Sequence, residues 1–160
     1  MSAADPELDH ARILLVRTSS LGDFRGIDGA TPNQEEAEAL LGAPLSEDGA
    51  ESEPGAPAAD GEALRRKLGA RFLLITRGSR GMSLFRHGEA VHLPVSGTDQ
   101  VADVTGAGDT VIGTFALALA AGAEPLEAAL LSNYAGGVVV MKMGTATLDR
   151  KSTRLNSSHT

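Results

Sequence analysis

The sequence contains no cysteine and no tryptophan, and aromatic residues make up only 3% of the chain. Without cysteine there is neither a disulfide framework nor a thiolate zinc site. Because aromatic residues are so scarce, the core must be built from Ala, Leu, Val and Ile. No apolar run is long enough to span a membrane, and the first ten residues lack the basic start and apolar stretch of a signal peptide. These absences favour a cytoplasmic protein without a membrane partner.

Basic residues are also scarce, with 14 Lys and Arg against 21 Asp and Glu, which gives a net charge of −7. A protein that binds nucleic acid needs a basic face, so this balance argues against such a partner. It leaves nucleotide binding open, because backbone N–H groups at a helix N-terminus can hold phosphate. The basic run Arg65–Lys67 is predicted to lie on a solvated helix face. A chain of 160 residues that is 42% hydrophobic is long enough for one domain with a core.

The order of apolar segments predicts an α/β protein. Residues 46–62 hold six acidic residues, no basic residue and two prolines, which predicts an exposed loop. We expect a hairpin around His87 and Gly88, and a helix beginning after Asn33 and ending at Gly42. The other predicted elements are strands over 13–16 and 72–76, a short helix over 63–68, a buried helix over 109–121, and a helix from Pro125 to about Met143.

The two ends of the chain do not fit this pattern. Residues 1–11 remain unassigned. Residues 149–160 resemble the translation of a widely used sequencing adapter, and we interpret them as an artefact of library preparation rather than as native sequence. An ordinary polar tail is the alternative. The genomic locus decides between the two, because an adapter-derived tail is not encoded there.

A glycine-rich corner, Gly106-Ala107-Gly108-Asp109, stands where a loop enters a predicted helix. The first N–H groups of a helix have no partner within the helix and face outward, so glycines there form an anion hole. A carboxylate beside the hole can take the proton from an attacking hydroxyl. For this short string alone, an ordinary helix start with turn glycines is the better interpretation.

The longer string Asp103–Asp109 resembles the C-terminal signature of the PfkB family of ribokinase-like sugar kinases. The resemblance implies that Asp109 is the catalytic base and that Gly106, Ala107 and Gly108 form the anion hole. It also implies a site for a monovalent cation, K⁺, at Asp103 and Thr105.

Three further segments resemble family motifs in the same order. Asn33-x-x-Glu36 resembles the motif that supports phosphate and Mg²⁺ through water, although helix capping also explains it. Thr76-Arg77-Gly78 and Gly81 resemble the nucleotide-binding turn, for which a plain glycine turn is the alternative. Asn133 matches a position lining the adenine site, or else is an interior hydrogen-bonding residue. The resemblance covers residues 12–148 and implies the C-terminal part of a ribokinase-like three-layer α/β/α fold.

Within the family, Gly81–Leu84, Asp103–Gly113 and Met143–Thr147 are most similar to D-glycero-β-D-manno-heptose 7-phosphate kinases. The resemblance therefore implies transfer of a phosphoryl group from ATP to a sugar hydroxyl, with ATP, Mg²⁺ and a sugar as the ligands. A homodimer of the intact parent is a further expectation. Two alternatives remain, since the family's N-terminal half has no counterpart here: a catalytically silent nucleotide-binding fragment, or a kinase for another sugar.

Overall fold

The computed structural model describes residues 8, 15–16, 23–24, 26–45, 59–96 and 107–139. Within these residues, one sheet carries five strands in the order β1-β2-β3-β4-β5. The first three strands are parallel and the last two are antiparallel additions at one edge. The strands are β1 Leu15–Val16, β2 Gly29–Ala30, β3 Phe72–Thr76, β4 Met82–Arg86 and β5 Glu89–Leu93.

Helices cover both faces of this sheet. The side chains of β3 alternate between two apolar clusters, because successive residues of a strand face opposite sides. Leu73 and Ile75 pack in a cluster with α1 and α2, whereas Phe72 and Leu74 pack in a cluster with α3 and α4. The helices are α1 Gln34–Leu41, α2 Ala59–Leu68, α3 Ala107–Ala120 and α4, residues 125–139. The expected three-layer α/β/α arrangement is thus confirmed.

The predicted hairpin is also confirmed. β4 and β5 pair from Met82↔Leu93 to Arg86↔Glu89, and His87 and Gly88 form the connecting turn. Gly88 has a φ of 71°, a conformation that glycine adopts without steric cost.

The predicted start of α2 was wrong, because the helix begins at Ala59, inside the segment expected to be an exposed loop. Gly61 and Glu62 are buried, and the ring of Phe85 lies against the Cα of Gly61. A glycine lets the helix approach that ring, so a tertiary contact supports a segment whose composition resembles a loop. Residues 46–58 lie outside the described residues.

The predicted solvated face at residues 65–67 is correct for two residues and wrong for Arg65. Arg65 is only 8% exposed and binds Glu62 through two hydrogen bonds of 2.8 Å. Its Nη1 also donates to the carbonyl of Ala70 at 2.7 Å. Arg66 and Lys67 are exposed, as expected.

Helix α3 was expected to be buried, yet it keeps one open face. Val111, Phe115 and Leu119 lie in the core, whereas Leu117 is 72% exposed. No helix in the described part of the chain is long and apolar enough to cross a membrane.

Candidate functional site

Two of the expected site segments meet at the carboxyl edge of the parallel strands. β2 leads into Thr31, Pro32 and Asn33, and β3 ends at Thr76. Asn33 forms a parallel bridge with Thr76, and the Thr76 N–H donates to the carbonyl of Pro32 at 3.1 Å. The carboxyl edge of such a sheet is where α/β proteins usually bind ligands.

Asn33 and Glu36 are locked together by a capping box at the start of α1. The Glu36 N–H donates to Asn33 Oδ1 at 2.8 Å, and the Asn33 N–H donates to Glu36 Oε2 at 2.9 Å. This confirms the capping interpretation, and Gly42 ends the helix with a φ of 76°, as predicted. Asn33 Nδ2 and Glu36 Oε1 take no part in the box. Glu36 Oε1 could accept hydrogen bonds from the waters of a Mg²⁺ ion, which keeps several waters when bound, and Asn33 Nδ2 could donate to a phosphate oxygen.

The expected nucleotide turn is a single 3-10 turn, Gly78–Arg80, between β3 and β4. Gly78 and Gly81 have φ angles of 57° and 85°. The Arg77 N–H closes the turn by donating to the carbonyl of Gly81 at 2.8 Å, whereas the Arg77 side chain is only 7% exposed. Groups that could face a nucleotide are therefore the backbone and Thr76 rather than the Arg77 guanidinium.

A polar network joins this turn to α1. Arg80 Nη2 donates to Gln34 Oε1, and Gln34 Nε2 donates to Glu38 Oε1 at 2.8 Å. The hydrogen bond from Gln34 lowers the pKa of Glu38, as do the backbone N–H of Leu45 and the charges of Arg80 and Arg77. The turn and the Asn33–Glu36 motif are thereby connected by side chains as well as by the sheet.

On the α1 side of the hairpin, Ser83 and His92 face each other across β4 and β5. The Ser83 Oγ and His92 Nδ1 atoms are 3.1 Å apart. Partial desolvation lowers the pKa of His92, and the positive charge of Arg77 lowers it further. The imidazole is thus favoured in its neutral form beside the turn.

Asn133 lies on α4 beside the chain that leaves β5. Its Nδ2 donates to the carbonyl of Pro94 at 2.7 Å. Gly81 approaches the same segment, because a Cβ at Gly81 would lie 2.1 Å from the carbonyl oxygen of Leu93 and 3.0 Å from Pro94. The structure therefore brings both Gly81 and Asn133, two expected nucleotide-pocket residues, close to Pro94.

The same helix contacts the first turns of α3. A Cβ at Gly136 would lie 2.9 Å from Val111 Cγ2, and a Cβ at Gly137 would lie 2.1 Å from the carbonyl oxygen of Ser96. These contacts were not foreseen, although two adjacent glycines inside a helix are a signal of close packing. They connect the start of α3 to the segment that already joins Gly81 and Asn133.

Asp109 lies in the first turn of α3, directly after Ala107 and Gly108, and the residue is exposed. The helix begins at Ala107, so its first N–H groups belong to the expected anion hole. Asp103, Thr105 and Gly106 lie outside the described residues, and the cation site assigned to the first two remains a prediction. Among the described residues, no cluster of three or more His, Cys, Asp or Glu side chains could hold a metal ion by itself.

Thr31 was missed by the sequence analysis. It is completely buried at the end of β2, and none of the described residues forms a hydrogen bond with its Oγ1 atom. The sequence signal was its place immediately before Pro32 and Asn33, which marks the strand end but does not show that the hydroxyl is left unpaired.

The chain is similar in sequence to curated proteins. The chain is 49% identical over 126 residues to the bifunctional protein HldE of Chromohalobacter salexigens, an alignment covering 78% of this chain and 25% of the relative. The chain thus spans about a quarter of the length of the curated relatives it matches.

The chain is also similar to solved structures. The chain resembles Arabidopsis thaliana ribokinase complexed with ribose and ATP, with a TM-score of 0.60 and 30% identity over 81% of this chain and 41% of that one. It resembles phosphofructokinase-2 from Escherichia coli in complex with fructose-6-phosphate in fold, with a TM-score of 0.60 and 20% identity over 78% of this chain and 38% of that one. The profile of the pfkB family carbohydrate kinases matches residues 19–152, so the chain belongs to that family.

Proposed function

We propose that the intact protein containing this chain transfers the γ-phosphoryl group of ATP to a sugar hydroxyl, and that the sugar is heptose 7-phosphate, phosphorylated at its anomeric position. Asp109 accepts the proton of the attacking hydroxyl. The N–H groups of Gly106, Ala107 and Gly108 stabilise the charge of the transferring group. Such preorganised donors contribute most where negative charge develops during the reaction.

One observation carries the kinase proposal: the motif residues that the structure describes belong to a single connected set. Asn33 bridges Thr76, and Gly81 and Asn133 both lie close to Pro94. The contact between Gly136 and Val111 then links that set to the helix that carries Asp109. Segments that carry motifs up to a hundred positions apart in the sequence are therefore joined by contacts.

Each part of this set has its own task in the proposal. Thr76, Arg77, Gly78, Gly81 and Asn133 form the nucleotide pocket, and the buried Arg77 contributes by closing the turn through its backbone. Glu36 holds the waters of a Mg²⁺ ion, which neutralises phosphate charge when bound, and Asn33 donates to a phosphate oxygen. The capping box fixes both side chains on the first turn of α1. Little side-chain conformational entropy is therefore lost when the ion binds.

The heptose acceptor has separate support. It comes from the similarity of Gly81–Leu84, Asp103–Gly113 and Met143–Thr147 to heptose 7-phosphate kinases. Since residues that contact a sugar can lie in the parts of the domain absent from this sequence, a panel of heptose, hexose and pentose acceptors tests this part on the intact protein. Faster phosphorylation of another sugar would replace the acceptor without affecting the kinase assignment.

Substitution of Asp109 tests the kinase proposal itself. In the intact protein, Asp109→Asn keeps the shape of the side chain and removes its basicity. We expect kcat to fall by about 10²- to 10⁴-fold, the usual contribution of general acid–base catalysis, with little change in the KM for ATP. Glu127→Gln, an exposed carboxylate on α4, is the matched control and should leave kcat unchanged. A largely active Asp109→Asn enzyme would exclude the proposed base.

A second candidate function applies to this chain by itself: a nucleotide-binding fragment that does not turn over. The observation that favours it is the coverage, since the chain matches only a quarter of its curated relatives. Isothermal titration with Mg·ATP, combined with a coupled kinase assay on the same chain, separates the two functions. Binding without turnover supports the fragment, and measurable turnover excludes it.

A further inference from the structure

The hydroxyl of Thr31 is buried without a hydrogen-bond partner. The residue is 0% exposed, and no other described residue hydrogen-bonds its Oγ1 atom. Folded proteins satisfy the large majority of buried polar side-chain atoms, because an unpaired one keeps its full desolvation cost. An exception therefore requires a physical reason, and the surroundings of Thr31 provide one.

Neighbouring backbone groups cannot satisfy this hydroxyl. A threonine at the end of a strand often accepts a hydrogen bond from a backbone N–H one or two residues further on. Pro32 has no N–H, and the N–H of Asn33 already donates to Glu36 Oε2 at 2.9 Å. The capping box that organises the Asn33–Glu36 motif thus also leaves the Thr31 hydroxyl without its usual local partner.

The sheet register shows which way Thr31 faces. Gly29 pairs with Phe72, Ala30 with Leu73 and Asn33 with Thr76, in one continuous parallel register. This register places Thr31 opposite Leu74. Leu74 belongs to the cluster that contains Val111 and Phe115 of α3, whereas Ala30 and Leu73 belong to the cluster on the other face. Because strand side chains alternate, Thr31 lies on the face that α3 covers.

The position along the strand matters as well. The ring of Phe72 covers Gly29, two residues before Thr31, so apolar packing occupies the sheet up to that point. Thr31 is the next position on this face, just past the end of β2 at the carboxyl edge, and it directly precedes the Pro32–Asn33 segment that bridges Thr76. An unpaired polar atom therefore occurs where the apolar core ends and the candidate site begins.

We propose that Thr31 is a further positioning residue of the site, whose hydroxyl forms a hydrogen bond with the bound magnesium–phosphate group, either donating to a phosphate oxygen or accepting from a magnesium-bound water. This inference rests on the proposed kinase function and adds a residue to it. A neutral hydroxyl is suited to this place, since it adds a hydrogen-bonding group without placing another charge beside Asn33 and Glu36. The desolvation cost that Thr31 carries without ligand is recovered when the ligand binds.

The test compares Thr31→Val, which keeps the branched shape and removes the hydroxyl, with Thr31→Ser, which keeps the hydroxyl. Both variants of this chain are melted without ligand and titrated with Mg·ATP and with adenosine.

We expect Thr31→Val to melt at the same or a higher temperature, because it removes an unpaired buried group. Its affinity for Mg·ATP should fall about tenfold or more, as expected for a lost hydrogen bond to a charged group. Its affinity for adenosine, which has no phosphate, should not change, and Thr31→Ser should bind Mg·ATP within about threefold of the unsubstituted chain.

Each of the following results would contradict the inference. A large drop in melting temperature for Thr31→Val would show that the hydroxyl has a partner within the fold. Unchanged Mg·ATP affinity would show that it is a purely structural group, and equal losses for Mg·ATP and adenosine would show a general distortion. A loss in Thr31→Ser as large as in Thr31→Val would assign the effect to packing of the methyl group. If the unsubstituted chain binds neither ligand, the nucleotide site itself fails, and this inference fails with it.

Discussion

At the scale of single residues, Gly81 shows how closely the turn after β3 is constrained. Its φ and ψ of 85° and −135° lie in a region that residues with a side chain rarely adopt. A Cβ there would also lie 2.1 Å from the carbonyl oxygen of Leu93, which is backbone of the neighbouring strand and cannot rotate away. The requirement for glycine is therefore both conformational and steric.

We predict that Gly81→Ala lowers the free energy of unfolding by about 2–4 kcal/mol, from backbone strain combined with the displacement of β5. Gly88→Ala is the matched control, because Gly88 also has a positive φ of 71° but no atom within 4 Å of the added Cβ. It should cost about 1 kcal/mol. Urea denaturation of both variants measures the difference. Equal losses would show that the contact with Leu93 does not constrain the turn.

A buried ion pair gives the next residue-scale prediction. Glu62 accepts two hydrogen bonds from Arg65, and both side chains are nearly inaccessible. Arg65→Met would leave the carboxylate buried without its main partner, which typically costs about 3–5 kcal/mol. Arg66→Met removes a partner whose side chain is 71% exposed, and it should cost less than about 1 kcal/mol. Comparable losses of unfolding free energy in the two variants would contradict the distinction between the buried and the exposed arginine.

The same pair predicts a dependence on pH. The hydrogen bond from Arg65 lowers the pKa of Glu62 below its ordinary value of 4.5. A carboxyl whose pKa is lowered by folding binds fewer protons in the folded state, so the stabilisation is complete above pH 4.5 and is lost as the pH falls through the folded-state pKa. Thermal melts from pH 7 to pH 3 should therefore show a smaller acid-induced loss in Arg65→Met than in the unsubstituted chain. An equal decline in melting temperature in both proteins would contradict the assignment of this pH dependence to Glu62.

At the scale of secondary-structure elements, the start of α1 has an observed task, helix capping, and a proposed one, ligand binding, which substitutions can separate. Asn33 caps the helix through its Oδ1, while its Nδ2 is left outside the capping box. Serine is also a good N-cap residue but has no amide. We predict that Asn33→Ser keeps the stability within about 0.5 kcal/mol and weakens Mg·ATP binding, whereas Asn33→Ala loses about 1 kcal/mol as well as binding.

Urea denaturation and titration with Mg·ATP test the two tasks on the same samples. Asn33→Ser with unchanged affinity would limit the residue to capping. A matched control is Gln34→Ala, which leaves the capping box intact and removes the contact with Arg80.

The elements that the sequence predicted are those with local signals. The capping pattern at Asn33, the glycine at position 42 and the hairpin turn at His87-Gly88 act over a few residues, and the structure confirms all of them. The start of α2 was missed because its acidic, glycine-containing first turn is stabilised by distant contacts. The ring of Phe85 covers Gly61, and no local pattern indicates that contact.

At the scale of the whole molecule, motif resemblance indicated candidate site residues but not how they meet. Motif resemblance indicated Gly81 and Asn133, yet their shared contact with Pro94 depends on the path of the chain after β5. Thr31 was missed for the same reason, since its burial on the α3 face follows from the register with β3. Long-range contacts of this kind leave little trace in a single sequence.

The surface of α4 is the last feature at this scale. Leu130, Leu131, Tyr134 and Val138 are each between 41% and 64% exposed. At 3.6 residues per turn they fall within an arc of about 100°. Ala128, Ala129 and Ser132 form the opposite, buried face. The helix is thus apolar on both sides, a pattern typical of helices that are covered on both sides.

We predict that the exposed stripe limits the solubility of this chain. Leu131→Glu combined with Tyr134→Glu should raise the highest soluble concentration several-fold, because contiguous exposed apolar surface promotes association and added acidic residues oppose it. The free energy of unfolding should stay within about 1 kcal/mol, since both side chains are more than half exposed. The control adds the same charge at Ala39 and Ala63, two exposed positions on α1 and α2. Precipitation assays with polyethylene glycol measure the effect, and an equal gain in the control would assign it to net charge rather than to the stripe.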